Sequence, residues 1–151
     1  MQLTDVMSTQ LVSIAPEMRI GDAARRMIEA DTGAAIVLAG DDLVGVITER
    51  DLLRCVSDGI DPDTPVSERM TRHVLTAAPS TDLAEAMALM VDGHFRHLPV
   101  VNSDGRVVGV VSMRDLMAYT SLRLRHGAFG DDDLDPAEVI ATIHRMRTGA
   151  A

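Results

Sequence analysis

Two short segments of the chain carry a hydroxyl, an arginine and an aspartate in the same order. They are residues 48–51, Thr-Glu-Arg-Asp, and residues 112–115, Ser-Met-Arg-Asp, and each follows an apolar run. A turn from a strand into a helix presents backbone N–H groups that favour an anion, and a hydroxyl there can donate to a phosphate. A purely structural role is the alternative, because Thr48 and Ser112 are good helix N-caps and first-turn acids suit the helix dipole.

Other reactive side chains form no recognisable catalytic or metal-binding pattern. The five histidines have no metal-ligand spacing, and the pair His94 and His97 is weak by itself. Cys55 has no base near it in the sequence, and Asp131–Asp133 suits a solvated loop. No nucleophile, base and orienting group occur together. The sequence therefore predicts no metal site, no catalytic residues and no enzyme.

Composition argues against several classes of partner. The net charge is −9, which disfavours binding to the phosphate backbone of a nucleic acid. Aromatic residues make up 2% of the 151 residues, which leaves no platform for stacking of bases. No apolar run approaches the roughly 18 residues of a membrane span, and the first residues have no signal-peptide character. The single cysteine excludes an internal disulfide, so we expect a cytoplasmic protein with no membrane partner.

The chain is an internal duplication. A shift of 63 residues places Met7 on Met70 and Pro16 on Pro79, and after one added residue the segment 44–46 falls on 108–110. Each half is predicted to run strand, helix, strand, strand, helix. The predicted domains are 1–60, 61–125, and 126–151, the last an acidic loop and a C-terminal helix.

Helical periodicity and turn chemistry place these elements. The first helix of each half has apolar residues at i, i+3, i+4, i+7 and i+8: Ile20, Ala23, Ala24, Met27 and Ile28, then Leu83, Ala86, Met87, Met90 and Val91. Asp82 is predicted to cap the second of these helices, whereas Arg19 is a poor cap and predicts fraying. Asp135-Pro136 begins the C-terminal helix, whose apolar stripe is Val139, Ile140, Ile143 and Met146.

The repeats resemble a tandem pair of CBS domains, named after cystathionine β-synthase. The resemblance is carried by residues 45–51 and 109–115, which share the spacing G-x-x-[ST]-x-x-D that is typical of the family's nucleotide motif, and by residues 95–101. It covers residues 3–120, about four-fifths of the chain. It implies an α/β (α+β) fold of two βαββα repeats packed around a pseudo-twofold axis, with the C-terminal helix added.

The resemblance also implies two ligand clefts, each built from both repeats. In one cleft Thr48, Arg50 and Asp51 would hold ribose and phosphate, and the base would lie against Val46, Leu75, Arg96 and His97. In the other, Ser112, Arg114 and Asp115 would hold ribose and phosphate, and the base wall would be Val12, Gly33, Ala34 and Val110. The arginines could instead pair with acids across the repeat interface. Because its wall is small and apolar, we expect the second cleft to bind nucleotide less well.

A regulatory role follows from the resemblance, because no effector domain accompanies the repeats in these 151 residues. The expected ligand is AMP, ADP or ATP, bound as a regulator rather than as a cofactor, with S-adenosylmethionine and cyclic dinucleotides as further family ligands. The expected partners are a second copy of the chain and an unknown effector protein. The alternative is a dimerisation or interaction module that works without a ligand. The C-terminal helix is expected to dock across the dimer.

Overall fold

A computed structural model describes residues 1–125 and 135–148, which form two compact units. The first unit contains Gln10–Leu75 with Ser103–Val107, and the second contains Met1–Thr9, Thr76–Asn102 and the chain from Val108 onward. Each unit is thus completed by chain from outside its own sequence repeat. The predicted domain limits follow the sequence repeat instead.

The first unit is a three-stranded sheet with two helices. Its elements are β1 (Ser13–Ile14), α1 (Ile20–Glu29), β2 (Ala34–Ala39), β3 (Asp42–Thr48) and α2 (Glu49–Ser57). β2 lies in the middle, parallel to β1 and antiparallel to β3. Aliphatic side chains and one thiol fill its core: Ile14, Ile20, Ala23, Met27, Ala35, Val37, Ile47, Cys55, Val66 and Met70.

The start of α1 is held by a distant segment. Arg19 makes no side-chain cap, as its residue type predicts. The backbone N–H of Ile20 instead donates to the carbonyl of Thr64 and that of Gly21 to the carbonyl of Pro62, both at 2.9 Å. These two bonds satisfy donors that a helix start otherwise leaves without a partner, so the predicted fraying is wrong.

The second unit repeats this plan, except that its first strand is reduced to a single bridge. Its elements are a 3-10 turn (Leu3–Asp5), α3 (Leu83–Gly93), β4 (His97–Val101), β5 (Val107–Ser112), α4 (Met113–Arg125) and α5 (Pro136–Thr148). The strand predicted before α3 is wrong, because among the described residues only the isolated bridge Ala77–Val100 remains there. In the local sequence Thr76-Ala77-Ala78 only Thr76 has the β-branched side chain that favours strands, and alanine is depleted in them.

The first helix of each unit buries a narrower stripe than its periodicity predicts. α1 buries Ile20, Ala23 and Met27, and α3 buries Leu83, Ala86 and Met90. Ile28 is 80% exposed and Val91 is 58% exposed. These two residues hold the same position in the two repeats, so the i+8 end of each predicted stripe lies outside the core. The predicted cap of α3 is confirmed, since Asp82 accepts from the N–H of Ala84 at 2.8 Å.

α5 packs against α4 of its own chain. Asp135 caps it as predicted, accepting from the N–H of Ala137 at 2.9 Å. Val139 and Ile143 are buried with the core of the second unit. Docking on a partner subunit is therefore not needed to cover this part of the stripe. The side chains of Ile140 and Met146, and the acidic loop of residues 126–133, lie outside the described part of the chain.

Candidate functional site

The turn at the start of α2 is closed by a pair of side chains from the predicted site. The Asp51 carboxylate, 8% exposed, accepts from the backbone N–H of Thr48 at 2.9 Å and from its hydroxyl at 3.0 Å. The Thr48 hydroxyl oxygen in turn accepts from the N–H of Asp51 at 3.3 Å. Thr48 thus caps the helix, which is the structural role considered above for this residue. Its hydroxyl hydrogen is directed at Asp51.

Two arginines add positive charge to this turn. Arg50 is exposed on the first turn of α2. Arg54 Nη1 lies 3.9 Å from Asp51 Oδ1, the carboxylate oxygen that does not accept from Thr48. The sequence analysis missed Arg54, although its i+3 spacing from Asp51 on a helix is a usable signal.

The start of α4 repeats the arrangement in the second unit. The Asp115 carboxylate, 4% exposed, accepts from the N–H of Ser112 at 2.9 Å. The Ser112 hydroxyl oxygen accepts from the N–H of Asp115 at 3.2 Å. Arg114 is exposed beside this turn, as Arg50 is beside the first, but the position that matches Arg54 is occupied by Ala118. The first two turns of α4 therefore carry one arginine, where those of α2 carry two.

Each turn is tied through its backbone to a residue of a predicted base wall. The N–H of Glu49 donates to the carbonyl of Gly33 at 3.0 Å, and the N–H of Met113 donates to the carbonyl of Arg96 at 2.8 Å. These N–H groups and those of Asp51 and Asp115 are therefore already engaged, and the exposed side chains of Arg50 and Arg114 add positive charge beside them.

A carboxylate missed by the sequence analysis lies against Gly33. A Cβ built on Gly33 would meet the carboxyl carbon of Glu49 at 3.2 Å. The wall predicted to be small and apolar, Gly33 and Ala34, thus has an acidic neighbour in its own unit. This carboxylate disfavours a phosphate at that wall.

The remaining predicted site residues are distributed over both units. In the first unit Ala34 and Val46 are buried, Val12 is half-buried and Leu75 is exposed. In the second, His97 and Val110 are half-buried and Arg96 is exposed. The two predicted clefts combine residues of different units, and these combinations stay predictions.

Metal ligands and the single cysteine are the other side chains that could carry chemistry. Among the side chains that the structure describes, no three of His, Cys, Asp or Glu lie close enough to hold a metal ion. Burial raises the pKa of the Cys55 thiol, and the nearby Arg69 offsets only part of this rise, so Cys55 is a weak nucleophile. No helix of this described part is long and apolar enough to span a bilayer.

In each of the two small α/β repeats, a buried aspartate accepts hydrogen bonds that close the turn after the last strand; we call these the acid-closed turns. Paired repeats of this kind define a class of binding domains. The chain belongs to the CBS domain family, whose pattern matches residues 3–58 and 66–121. The predicted resemblance and the α/β fold class are therefore confirmed.

Similar proteins come from distant organisms. The CBS domain-containing protein YhcV of Bacillus subtilis is 36% identical over 113 residues, which cover 74% of this chain and 80% of that protein. A putative signal-transduction protein with CBS domains from Burkholderia ambifaria has a similar structure, with a TM-score of 0.71, 32% identity and coverage of 84% and 88% of the two chains. The CBS domain protein PAE2072 of Pyrobaculum aerophilum, solved with AMP, gives a TM-score of 0.77 at 27% identity, covering 84% and 98%.

Proposed function

We propose that this chain is a regulatory module that binds an adenine nucleotide. The observation that carries the proposal is the buried Asp51 carboxylate, held in place by Thr48 and flanked by two exposed arginines. Support also comes from PAE2072 and from CBSX2, each 27% identical to this chain and each solved with AMP. AMP is therefore the first ligand to test, followed by ADP and ATP.

The proposed roles follow from the chemistry of each side chain. A carboxylate whose one oxygen is engaged by Thr48 can accept ribose hydroxyls at its other oxygen, Oδ1. Arg50 and Arg54 lie on the same helix and would balance the phosphate charge, which matters in a chain of net charge −9. Asp115 and Arg114 would serve the second site in the same way, with one cation fewer.

The proposed base contacts are those expected from the family. They are Val46, Leu75, Arg96 and His97 for the first site and Val12, Gly33, Ala34 and Val110 for the second. The Glu49 carboxylate beside Gly33 supports the proposal that the second site is the weaker one for a phosphorylated ligand.

We further propose that occupancy is transmitted to an effector protein through a homodimer, and that the chain is not itself an enzyme. A reducing, cytoplasmic setting belongs to the same proposal, because the single Cys55 is buried as a free thiol. No nucleic acid or membrane partner is proposed for a chain of this charge.

A thermal-shift series tests nucleotide binding. At a hundred times its dissociation constant, a ligand adds about 2.7 kcal/mol to the free energy of unfolding, roughly 5–10 °C in melting temperature for a chain of this size. The series contains AMP, ADP, ATP, S-adenosylmethionine and a cyclic dinucleotide. The matched control is the double variant Asp51→Ala, Asp115→Ala, which should not respond. An unchanged midpoint for the unmodified chain with every ligand at millimolar concentration would refute the proposal.

The second candidate is an interaction module that needs no ligand. The observation in its favour is the set of large apolar side chains left exposed on the helices: Ile28, Leu53, Val56, Val91, Met117 and Leu124. A chain that self-associates normally but fails the thermal-shift series would favour this candidate.

A further inference from the structure

α5 packs along one particular face of α4. Val139 and Ile143 of α5 share the core of the second unit with Ala118 and Leu122 of α4. In a helix with 3.6 residues per turn, positions three and seven residues apart lie on the same face. Ala118 and Leu122 therefore continue the face of α4 on which Asp115, the buried acid of the second acid-closed turn, lies.

The equivalent face of α2 is open in the first unit. The positions that match Ala118 and Leu122 are Arg54 and Asp58, and both are exposed. Among the described elements, those in closest contact with α2 are α1 and β3. The space beside the Asp51 carboxylate is instead taken by the Arg54 side chain, whose Nη1 lies 3.9 Å from Oδ1.

The burial of the two acids differs in the direction that cover by α5 predicts. Ala118 has a methyl group where Arg54 has a long cationic side chain. In equal surroundings the acid beside the alanine would be the more exposed one, yet Asp115 is 4% exposed and Asp51 is 8% exposed. Because α5 packs on the face that contains Ala118, it stands where the arginine side chain and solvent stand in the first unit.

We propose that α5 is a displaceable lid over the Asp115 carboxylate, so that docking of α5 on α4 and nucleotide binding at this turn exclude each other. The inference rests on the proposed function and deepens it, because it assigns the element that regulates one of the two sites. A ligand that binds only the open form has its apparent affinity reduced by the open fraction. By reciprocity, a ligand bound at Asp115 releases α5 from α4.

α5 can leave α4 at a small loss of contacts. Of its side chains that the structure describes, only Val139, Thr142 and Ile143 are buried. The Thr142 hydroxyl accepts from Arg145 at 2.7 Å, so its hydrogen bond lies within α5 and does not depend on docking. The family pattern ends at residue 121, so the repeat fold does not include α5. Elements that move on ligand binding are drawn from such weakly held parts of a structure.

Thiol labelling reports whether α5 leaves α4. In a Cys55→Ala background, Ile143→Cys places a thiol at a position that is 2% exposed while α5 is docked. AMP at a concentration that fills both sites should raise the labelling rate of this thiol by roughly tenfold or more. Adding Asp115→Ala should remove the increase, whereas adding Asp51→Ala should not. Ala141→Cys, exposed on the same helix, is the control and should label fast with or without AMP.

Weakening the docking of α5 should strengthen binding at the second site. In titration calorimetry with AMP, Ile143→Ala should tighten the weaker, Asp115-dependent phase by roughly tenfold, and Ala141→Ser should leave it unchanged. Leu83→Ala removes another buried side chain from the same core without touching α5. It controls for a general loss of stability and should not tighten this phase.

The outcomes separate the lid from the proposed ligand. Labelling of Ile143→Cys that AMP leaves unchanged or slows, in a chain whose Asp51-dependent phase is intact, would overturn the lid alone. Slower labelling would make α5 a part of the occupied site instead. The absence of any nucleotide response in both the unmodified chain and Ile143→Ala would overturn the proposed function, and the lid with it.

Discussion

Thr48 and Asp51 hold each other in the turn that begins α2. Two hydrogen bonds run from Thr48 to one carboxylate oxygen of Asp51, and the backbone of Asp51 donates back to the Thr48 hydroxyl. Asp51 therefore closes the turn and also holds its second carboxylate oxygen in a fixed position, where it can accept a further hydrogen bond. A carboxylate whose rotamer is fixed before a ligand arrives loses less entropy on binding. The same fixation means that substitutions here change folding and binding together, so a test must compare matched sites.

The two acid-closed turns should contribute unequally to nucleotide binding. Asp51→Ala removes the acceptor beside the two arginines in the first two turns of α2, and Asp115→Ala removes it beside the single arginine in the first two turns of α4. Because hydrogen bonds to a charged group contribute about 1.5–3 kcal/mol each, we expect Asp51→Ala to weaken the tighter binding phase by roughly tenfold or more and Asp115→Ala to leave that phase nearly unchanged. Titration calorimetry with AMP measures both, and equal losses would contradict the ranking.

A backbone carbonyl close to one of two equivalent strand glycines should make substitution of that glycine harder to accommodate. A Cβ on Gly45 would lie 2.6 Å from Met70 Sδ and 2.9 Å from the carbonyl oxygen of Thr71, whereas the three atoms nearest to a Cβ on Gly109 would all belong to the Met7 side chain, the first at 2.5 Å. We expect each Gly→Ala change to cost about 1–3 kcal/mol of unfolding free energy.

Rescue should separate the two glycines. Met7→Ala should recover much of the loss in Gly109→Ala, because the clash there is with a flexible side chain. Met70→Ala should recover less in Gly45→Ala, because the carbonyl of Thr71 remains. Urea unfolding of both double-mutant cycles measures the difference, and equal coupling energies would contradict this explanation.

α5 should stabilise the second unit. Ile143 is 2% exposed in the core that also contains Leu122, so Ile143→Ala should lower the free energy of unfolding by about 2–5 kcal/mol. Ala141→Ser, at an exposed position of the same helix, is the control and should change it by less than about 0.5 kcal/mol. Urea unfolding is the measurement. A negligible effect of Ile143→Ala would mean that α5 leaves α4 in solution.

Stability should fall with rising pH in the alkaline range because of Cys55. Burial raises the pKa of its thiol from an ordinary value of about 9, so the unfolded chain loses this proton at a lower pH than the folded chain. The stabilising contribution is complete below that ordinary value and declines as pH rises above it. The chain has no lysine, which leaves few other groups that titrate near pH 9.

Cys55→Ala is the matched comparison for this pH dependence. The substitution should flatten the decline between about pH 8 and pH 10, whatever its effect at neutral pH. Urea unfolding at each pH gives both curves. Parallel curves for the two proteins would contradict the assignment of this decline to Cys55.

Sequence by itself determined the features that depend on neighbours three or four residues apart. The turns at residues 48–51 and 112–115 and the caps at Asp82 and Asp135 follow from local hydrogen bonds between residue types with strong preferences. The duplication is visible in the sequence itself. Such bonds form in nearly any tertiary setting, which is why spacing predicts them.

Only the tertiary structure decided which residues that are distant in the sequence come into contact. The carbonyls of Pro62 and Thr64 complete the start of α1, whose own cap residue, Arg19, is poor. A stripe with helical periodicity does not reveal that Ile28 lies outside the core, because a sheet covers only part of an apolar helix face. The packing of α5 against α4 likewise depends on Ala118 and Leu122 in the second unit. The equivalent positions of the first unit are occupied by the exposed residues Arg54 and Asp58. Burial is a property of the whole packed unit, and local sequence specifies only which residues are suited to it.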